Sequence, residues 1–185
     1  FDVATNVDGF DGYLQVFGPT QPCADGFCPP GCDPGDPADE CQIPVYAPSL
    51  QFFNPPVTAD YEQPLVMPLF DVVALSSVIG ATGPQYDPTK GNLFIGAINC
   101  DSMPAEGVTY SITEHQTEVT QLYVKDGAVT NTVFETDESG IGGFIGVPEG
   151  FAEVEAFNGD GNLIGSVGVV ARAGFMTYSP LVPSE

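Results

Sequence analysis

A twelve-residue pattern that occurs twice constrains this chain more than any other feature. Thr5-Asn6-Val7-Asp8-Gly9-Phe10-Asp11-Gly12-Tyr13-Leu14-Gln15-Val16 aligns with Thr136-Asp137-Glu138-Ser139-Gly140-Ile141-Gly142-Gly143-Phe144-Ile145-Gly146-Val147. The two copies share the Thr, both Gly, an aromatic, an aliphatic and the final Val. A spaced repeat of this kind predicts two copies of one β module. About fifty residues of strand-like sequence precede the second copy, whereas four precede the first. The reading is therefore a first module that lacks its opening strands. An incomplete sheet leaves an edge to be filled by upstream sequence or by another molecule.

Charge narrows the partners. Twenty-five acidic residues stand against Lys90, Lys125 and Arg172, a formal charge of -22, and the first 89 residues hold no basic side chain. Phosphate backbones are bound by Lys and Arg that release counterions, so the balance argues against nucleic acid and against an anionic membrane surface. It suits a solvated acidic coat on a secreted protein, or cation binding. The apolar content of 43% is enough for a core. No apolar run reaches the ~20 residues that span a bilayer. Phe1 in place of an initiating Met reads as processing or truncation, with a signal peptide or lipid-anchor segment upstream.

Four of the five cysteines, Cys23, Cys28, Cys32 and Cys41, crowd into a Pro/Gly/Asp-rich loop at 21–42, and Cys100 lies apart. The spacings are not two Cys-x-x-Cys knuckles, which argues against zinc. Disulfides would staple a segment too poor in apolar residues to pack itself, and they imply an oxidising compartment. Spacing selects no pairing among the four. Cys100 follows the apolar run 93–98 and reads as a buried free thiol at a strand end; the alternative is pairing with the loop or between molecules.

Short strands and turns fill most of the chain. Residues 12–17 and 43–46 read as extended, and the prolines between 55 and 68 suit bends and edges. Residues 71–80 form the single plausible helix, capped by Asp71 and ended by Gly80, and serve as a connector. From 92 onward strands are expected at 92–99, 107–113, 119–124, 128–135, 143–147, 151–157 and 163–170. Lys125-Asp126-Gly127 and residues 158–162 form hairpin turns. The alternation in 151–157 buries one face and leaves Glu153 and Glu155 in water. Seven strands in about a hundred residues describe a β-sandwich.

The segments Pro104-Ala105-Glu106-Gly107-Val108-Thr109-Tyr110, Thr136 through Phe144, and Val147-Pro148-Glu149-Gly150 before a closing strand resemble the carboxypeptidase regulatory-like, transthyretin-type β-sandwich of secreted bacterial proteins. The likeness covers most of 85–180 and, more loosely, 1–70. It implies an all-β, Ig-like/transthyretin-like fold of two modules: an incomplete first module at 1–70 carrying the cysteine loop, a helical connector at 71–84, and a second module at 85–185. It also implies spacer, stabilising or adhesive roles without catalysis, and supplies no catalytic residues.

The residues agree with a non-enzyme. His115 is the only histidine, which excludes two-His metal sites, and no nucleophile elbow surrounds any Ser. Asp33, Asp36, Asp39 and Glu40, and likewise Asn6, Asp8 and Asp11, put oxygens on turns where a calcium ion finds several ligands, although neither set has EF-hand spacing. Asp as a turn former that bonds its own backbone is the competing reading. Beyond calcium no cofactor is implied. Tyr13, Phe17, Tyr46, Phe52, Phe53 and Tyr61 are candidates for a binding face.

The expected function is a non-catalytic structural or adhesive protein, extracellular or at the cell surface, self-associating into a surface fibre or joined to another extracellular protein by strand exchange. The 178–185 tail is a candidate donor strand. The alternative is a glycan- or protein-binding module of a secreted or lipid-anchored protein, with a carboxylate-based hydrolase behind it. Non-reducing peptide mapping is expected to find two disulfides among Cys23, Cys28, Cys32 and Cys41, each contributing roughly 2–4 kcal/mol. Four free thiols, or stoichiometric zinc, would refute this.

Overall fold

Turn chemistry and strand alternation divide the chain much as its sequence suggests. The computed structural model describes residues 13–22, 42–53, 71–83, 86–114 and 116–184. These form β1 (Tyr13–Val16), β2 (Thr20–Pro22), β3 (Gln42–Pro44), β4 (Ser49–Phe52), helix α1 (Val72–Ala81), β5 (Gly91–Ala97) and β6 (Thr109–Ile112). They continue with β7 (Thr120–Lys125), β8 (Ala128–Thr130), β9 (Ile141–Val147), β10 (Gly150–Phe157), β11 (Leu163–Ala171) and β12 (Met176–Leu181). The architecture is β-rich and sandwich-like. A seven-stranded sheet ordered β1-β4-β12-β5-β9-β7-β8 faces a three-stranded sheet ordered β11-β10-β6, and β2 pairs with β3 apart from both. No helix among the described residues is long and apolar enough to cross a membrane.

One core lies between the two sheets. Leu93, Ile95, Tyr123, Phe144, Val147 and Leu181 from the large sheet meet Tyr110, Ile112, Val154 and Val169 from the small one. Strand β10 alternates as expected, with Ala152, Val154 and Ala156 buried and Glu153 and Glu155 on the outer face. A second core covers the other face of the large sheet, where Leu75 and Ile79 of α1 pack with Phe94, Leu122, Ile145 and Met176. The helix therefore does more than connect. Asp71 caps it by accepting the Val73 N–H at 2.9 Å. Its end differs from the expectation: the helix runs through Gly80 to Ala81, and the glycine with positive φ (105°) is Gly83.

Two turns show local chemistry deciding register. Asp126 and Gly127 both have positive φ (51° and 76°), the geometry of a tight hairpin between β7 and β8. Gly146, with φ 75°, is an extra residue in β9, because Gly91 opposes Val147 while Asn92 opposes Ile145. This bulge turns Val147 back to the face of Phe144, so both reach the inter-sheet core.

Three elements depart from the sequence reading. Strand β8 stops at Thr130 rather than 135, because Asn131 turns its side chain to the Thr82 carbonyl (2.7 Å) and the Thr130 hydroxyl bonds Thr132. The 178–185 tail is not a free donor: its residues 178–181 belong to β12, inside the chain's own sheet. Strand β12 runs parallel to both β4 and β5, with Ser179 and Leu181 buried. Pro180 is tolerated there because pairing with β4 ends at Tyr178 opposite Gln51, so its missing N–H costs no bond on that side. Third, β1 and β4 extend the large sheet beyond β12.

Gly143 sits where β9 crosses β5. A Cβ there would lie 2.0 Å from the Leu93 carbonyl oxygen. Gly143→Ala is expected to lower stability by about 1–3 kcal/mol through overpacking. Gly159→Ala, whose Cβ meets nothing within 4 Å, serves as the control. Equal thermal melts for the two variants would overturn this.

Candidate interaction edges

The exposed backbone of a sandwich lies at its edge strands, and here the two edges of the small sheet are capped. At β6, the Tyr110 N–H donates to the Tyr123 hydroxyl (3.0 Å) and the Gln121 side-chain amide donates to the Tyr110 carbonyl (2.7 Å). The same amide also donates to the Tyr123 hydroxyl (2.7 Å), and the two tyrosine rings stack at 6.0 Å. The Tyr110 hydroxyl closes the set on the Gly140 carbonyl (3.0 Å). Burial pushes the phenols of Tyr110, Tyr123 and Tyr178 above their ordinary range, so they stay neutral hydrogen-bonding groups.

The repeated Thr continues this cap. Thr136 bonds Val108 with backbone and side chain, donating its N–H to the Val108 carbonyl (2.9 Å) while its hydroxyl accepts the Val108 N–H (3.0 Å). The same hydroxyl donates to the Ala105 carbonyl (2.7 Å). Next to it, Asp137 accepts the Ser139 hydroxyl (2.6 Å), the Ser139 N–H (2.9 Å) and the Asp126 N–H (2.9 Å). The Ser139 bonds foremost hold its carboxyl below the ordinary carboxylate range. At the other edge of the small sheet, Ser184 N–H reaches the Ile164 carbonyl (2.8 Å) and the Thr177 hydroxyl reaches the Val170 carbonyl (2.9 Å). The segment around β12 thus caps β11.

Strand β1 differs. On its inner side it pairs with β4 from Tyr13 opposite Phe52 to Val16 opposite Ser49. The outer side has no partner strand among the described residues. Arg172, the only arginine, clamps this strand from across the sheet. It donates to the Gln15 side chain (2.9 Å) and to the Tyr13 hydroxyl (2.5 Å), and its guanidinium lies 5.3 Å from the Tyr13 ring centre. Tyr13 and Phe52 rings lie 5.2 Å apart, and Phe17 meets Phe175 edge-on at 5.8 Å. This face offers aromatic side chains, one fixed cation and a backbone edge with no partner strand among the described residues. It can pair a strand or hold a planar group.

Of the residues singled out by sequence, Tyr13 and Phe52 pair beside Arg172, and Phe17 pairs separately with Phe175; Arg172 and Phe175 were missed in the sequence. Arg172 carried one available signal: it is the lone arginine in an acidic chain. Tyr46 packs instead over Gly18. Cys23, Cys28, Cys32, Cys41, Asp33, Asp36, Asp39, Glu40, Asn6, Asp8, Asp11, Tyr61 and His115 lie outside the described residues. Cys100 is free and exposed, not buried, because β5 ends at Ala97 and the chain turns outward at 99–103. Among the described residues no cluster of three or more His, Cys, Asp or Glu is placed to hold a metal. Comparison with known proteins finds no matching family model and no matching curated protein.

Asp137 makes the cap acid-sensitive. Its carboxyl is lowered in the folded state, so its contribution is complete above the ordinary carboxylate value of about 3.9 and is lost as pH falls through the lowered one. Asp137→Asn keeps an acceptor oxygen without the charge and is expected to show a shallower loss of stability between neutral pH and strong acid. Parallel pH profiles for variant and parent would show that Asp137 is not coupled to folding.

Proposed function

We propose that this chain is a non-catalytic structural or adhesive protein of the cell exterior, joined to its neighbours by strand addition, as the subunits of a surface fibre are. The supporting observation is the contrast between edges: β6 and β11 are capped by Tyr123, Gln121, Thr136, Thr177 and Ser184, while the outer side of β1 has no partner strand among the described residues. Strand addition satisfies such an edge and gives affinity through main-chain hydrogen bonds. The repeated Thr-to-Val pattern supports two related modules of Ig-like or transthyretin-like type, with β1 and β9 as corresponding strands. The four clustered cysteines, as disulfides, fit an oxidising exterior. Calcium at Asp33, Asp36, Asp39 and Glu40 is compatible with this role and not required by it.

A second reading is a module that binds a glycan or a protein partner. It is favoured by the grouping of Tyr13, Phe52 and Arg172 on one face.

Negative-stain electron microscopy of the native material, with sedimentation of the purified chain, tests the first reading. Filaments or higher-order species are expected. Monomers alone, across concentration and salt, would remove it.

A further inference from the structure

We propose that Asn158-Gly159, in the turn between β10 and β11, is a self-modifying site that does not depend on the assembly reading. Its own backbone converts the Asn158 side-chain amide to aspartate and isoaspartate, with water as the co-reactant.

Two turns of this molecule share one plan. In residues 99–103 the Asn99 side-chain oxygen accepts the Asp101 N–H (2.9 Å) and the Met103 N–H (3.0 Å). The Asn99 N–H then reaches the Met103 carbonyl (2.8 Å), and the Ser102 N–H reaches the Asn99 carbonyl (3.0 Å). In residues 158–162 the Asn158 side-chain oxygen accepts the Asp160 N–H (3.1 Å) and the Asn162 N–H (2.9 Å). The Asn158 N–H reaches the Asn162 carbonyl (3.0 Å), and the Gly161 N–H reaches the Asn158 carbonyl (2.8 Å). Ser102 and Gly161 occupy the same left-handed position, with φ 61° and 79°. What separates the two turns is the residue after asparagine, Cys100 in one and Gly159 in the other. Asn158 is the only asparagine of the chain that glycine follows.

When a nucleophile adds to the side-chain carbon of asparagine, negative charge develops on Oδ1. At Asn158 two backbone N–H groups already point at that oxygen, the arrangement of an oxyanion hole. The nucleophile is the Gly159 nitrogen, whose N–H has no acceptor among the described residues. Gly159 is exposed, and without a Cβ its backbone reaches conformations closed to other residues. That nitrogen gives its proton to hydroxide and bonds to Asn158 Cγ. The Cγ–Nδ2 bond breaks, Nδ2 leaves as ammonia, and a cyclic imide remains. Water opens the imide at either carbonyl, giving aspartate or isoaspartate. Asn131 is placed differently: its Nδ2 is tied to the Thr82 carbonyl (2.7 Å), and the following Thr132 N–H is held by the Thr130 hydroxyl (3.1 Å). Asn92 is buried, and leucine follows both Asn92 and Asn162.

Either product adds a carboxylate two residues from Asp160. Aspartate keeps an acceptor for the Asp160 and Asn162 N–H groups, so the turn stands. Isoaspartate routes the main chain through the side-chain carbon, and the two backbone bonds that close the turn lose their register.

Peptide mapping by mass spectrometry, after incubation of the folded full chain in mildly alkaline heavy-oxygen water, reads the site. Label is expected at residue 158, with conversion at Asn99, in the matched turn, at least about tenfold slower. Gly159→Ala has room for its Cβ and should melt like the parent while slowing conversion at 158 by at least about tenfold. Asn158→Asp should melt close to the parent. Conversion at 158 no faster than at Asn99, or unchanged by Gly159→Ala, would overturn the site. An Asn158→Asp variant melting far below the parent would overturn the claim that the turn survives its own conversion.

Discussion

The rest of the structure hangs on the insertion of β12 between β4 and β5. Its ladder with β5 runs over six residues, from Met176 opposite Asn92 to Leu181 opposite Ala97, and its ladder with β4 over three. Through β12 the N-terminal strands β1 and β4 join the same sheet as β5, β9, β7 and β8. The strand also serves both cores, since Met176 packs under the helix while Leu181 packs between the sheets. Thr177 then reaches the Val170 carbonyl, so one strand positions an outer pair of strands and caps the edge of the opposite sheet. Parallel neighbours on both sides require connections that cross over, and the chain provides them with α1 and with the passage from β11 in one sheet to β12 in the other.

Much of this was legible in the sequence, and the illegible parts have definite causes. Asp126-Gly127 announced the hairpin, and the alternation through 151–157 announced β10, because turn type and pleat are local properties. Strand β12 escaped notice because Thr177, Ser179 and Pro180 give it neither an apolar run nor a clean alternation. Its burial comes from neighbours far away in sequence. The helix was found, but its packing was not, since Leu75 and Ile79 could not reveal which sheet face they would cover. The strand expected at 143–147 begins earlier, at Ile141, and of Gly140, Gly142 and Gly143 only the first has positive φ (68°). The other two are glycine because the Tyr110 and Tyr123 rings and the Leu93 carbonyl leave no room for a Cβ.

The same comparison separates the two copies of the repeat. Within the pattern Tyr13-Leu14-Gln15-Val16 corresponds to Phe144-Ile145-Gly146-Val147, and both segments are strands. In β9 the segment is flanked by β5 and β7, and the bulge at Gly146 sends Phe144 and Val147 into one core. In β1 the bulging glycine is replaced by Gln15, the segment is flanked among the described residues by β4 alone, and Tyr13 lies against Phe52 and Arg172. A shared local pattern thus specifies a strand without specifying its place in the sheet. Place is set by pairing partners, which the pattern does not encode.

Edge placement and charge therefore act together. A central strand can be apolar on both faces because its backbone is fully paired, but an edge strand must either be protected or be used. Elsewhere this molecule protects: a buried phenol and an amide cap Tyr110, a threonine caps Val108, and the segment after β12 reaches Ile164. The acidic coat adds a second, long-range protection that weakens as salt screens it. At β1 the contacts among the described residues differ in kind: neither the strand nor β4 carries charge, and the clamp from Arg172 engages the side chains of Tyr13 and Gln15, not backbone.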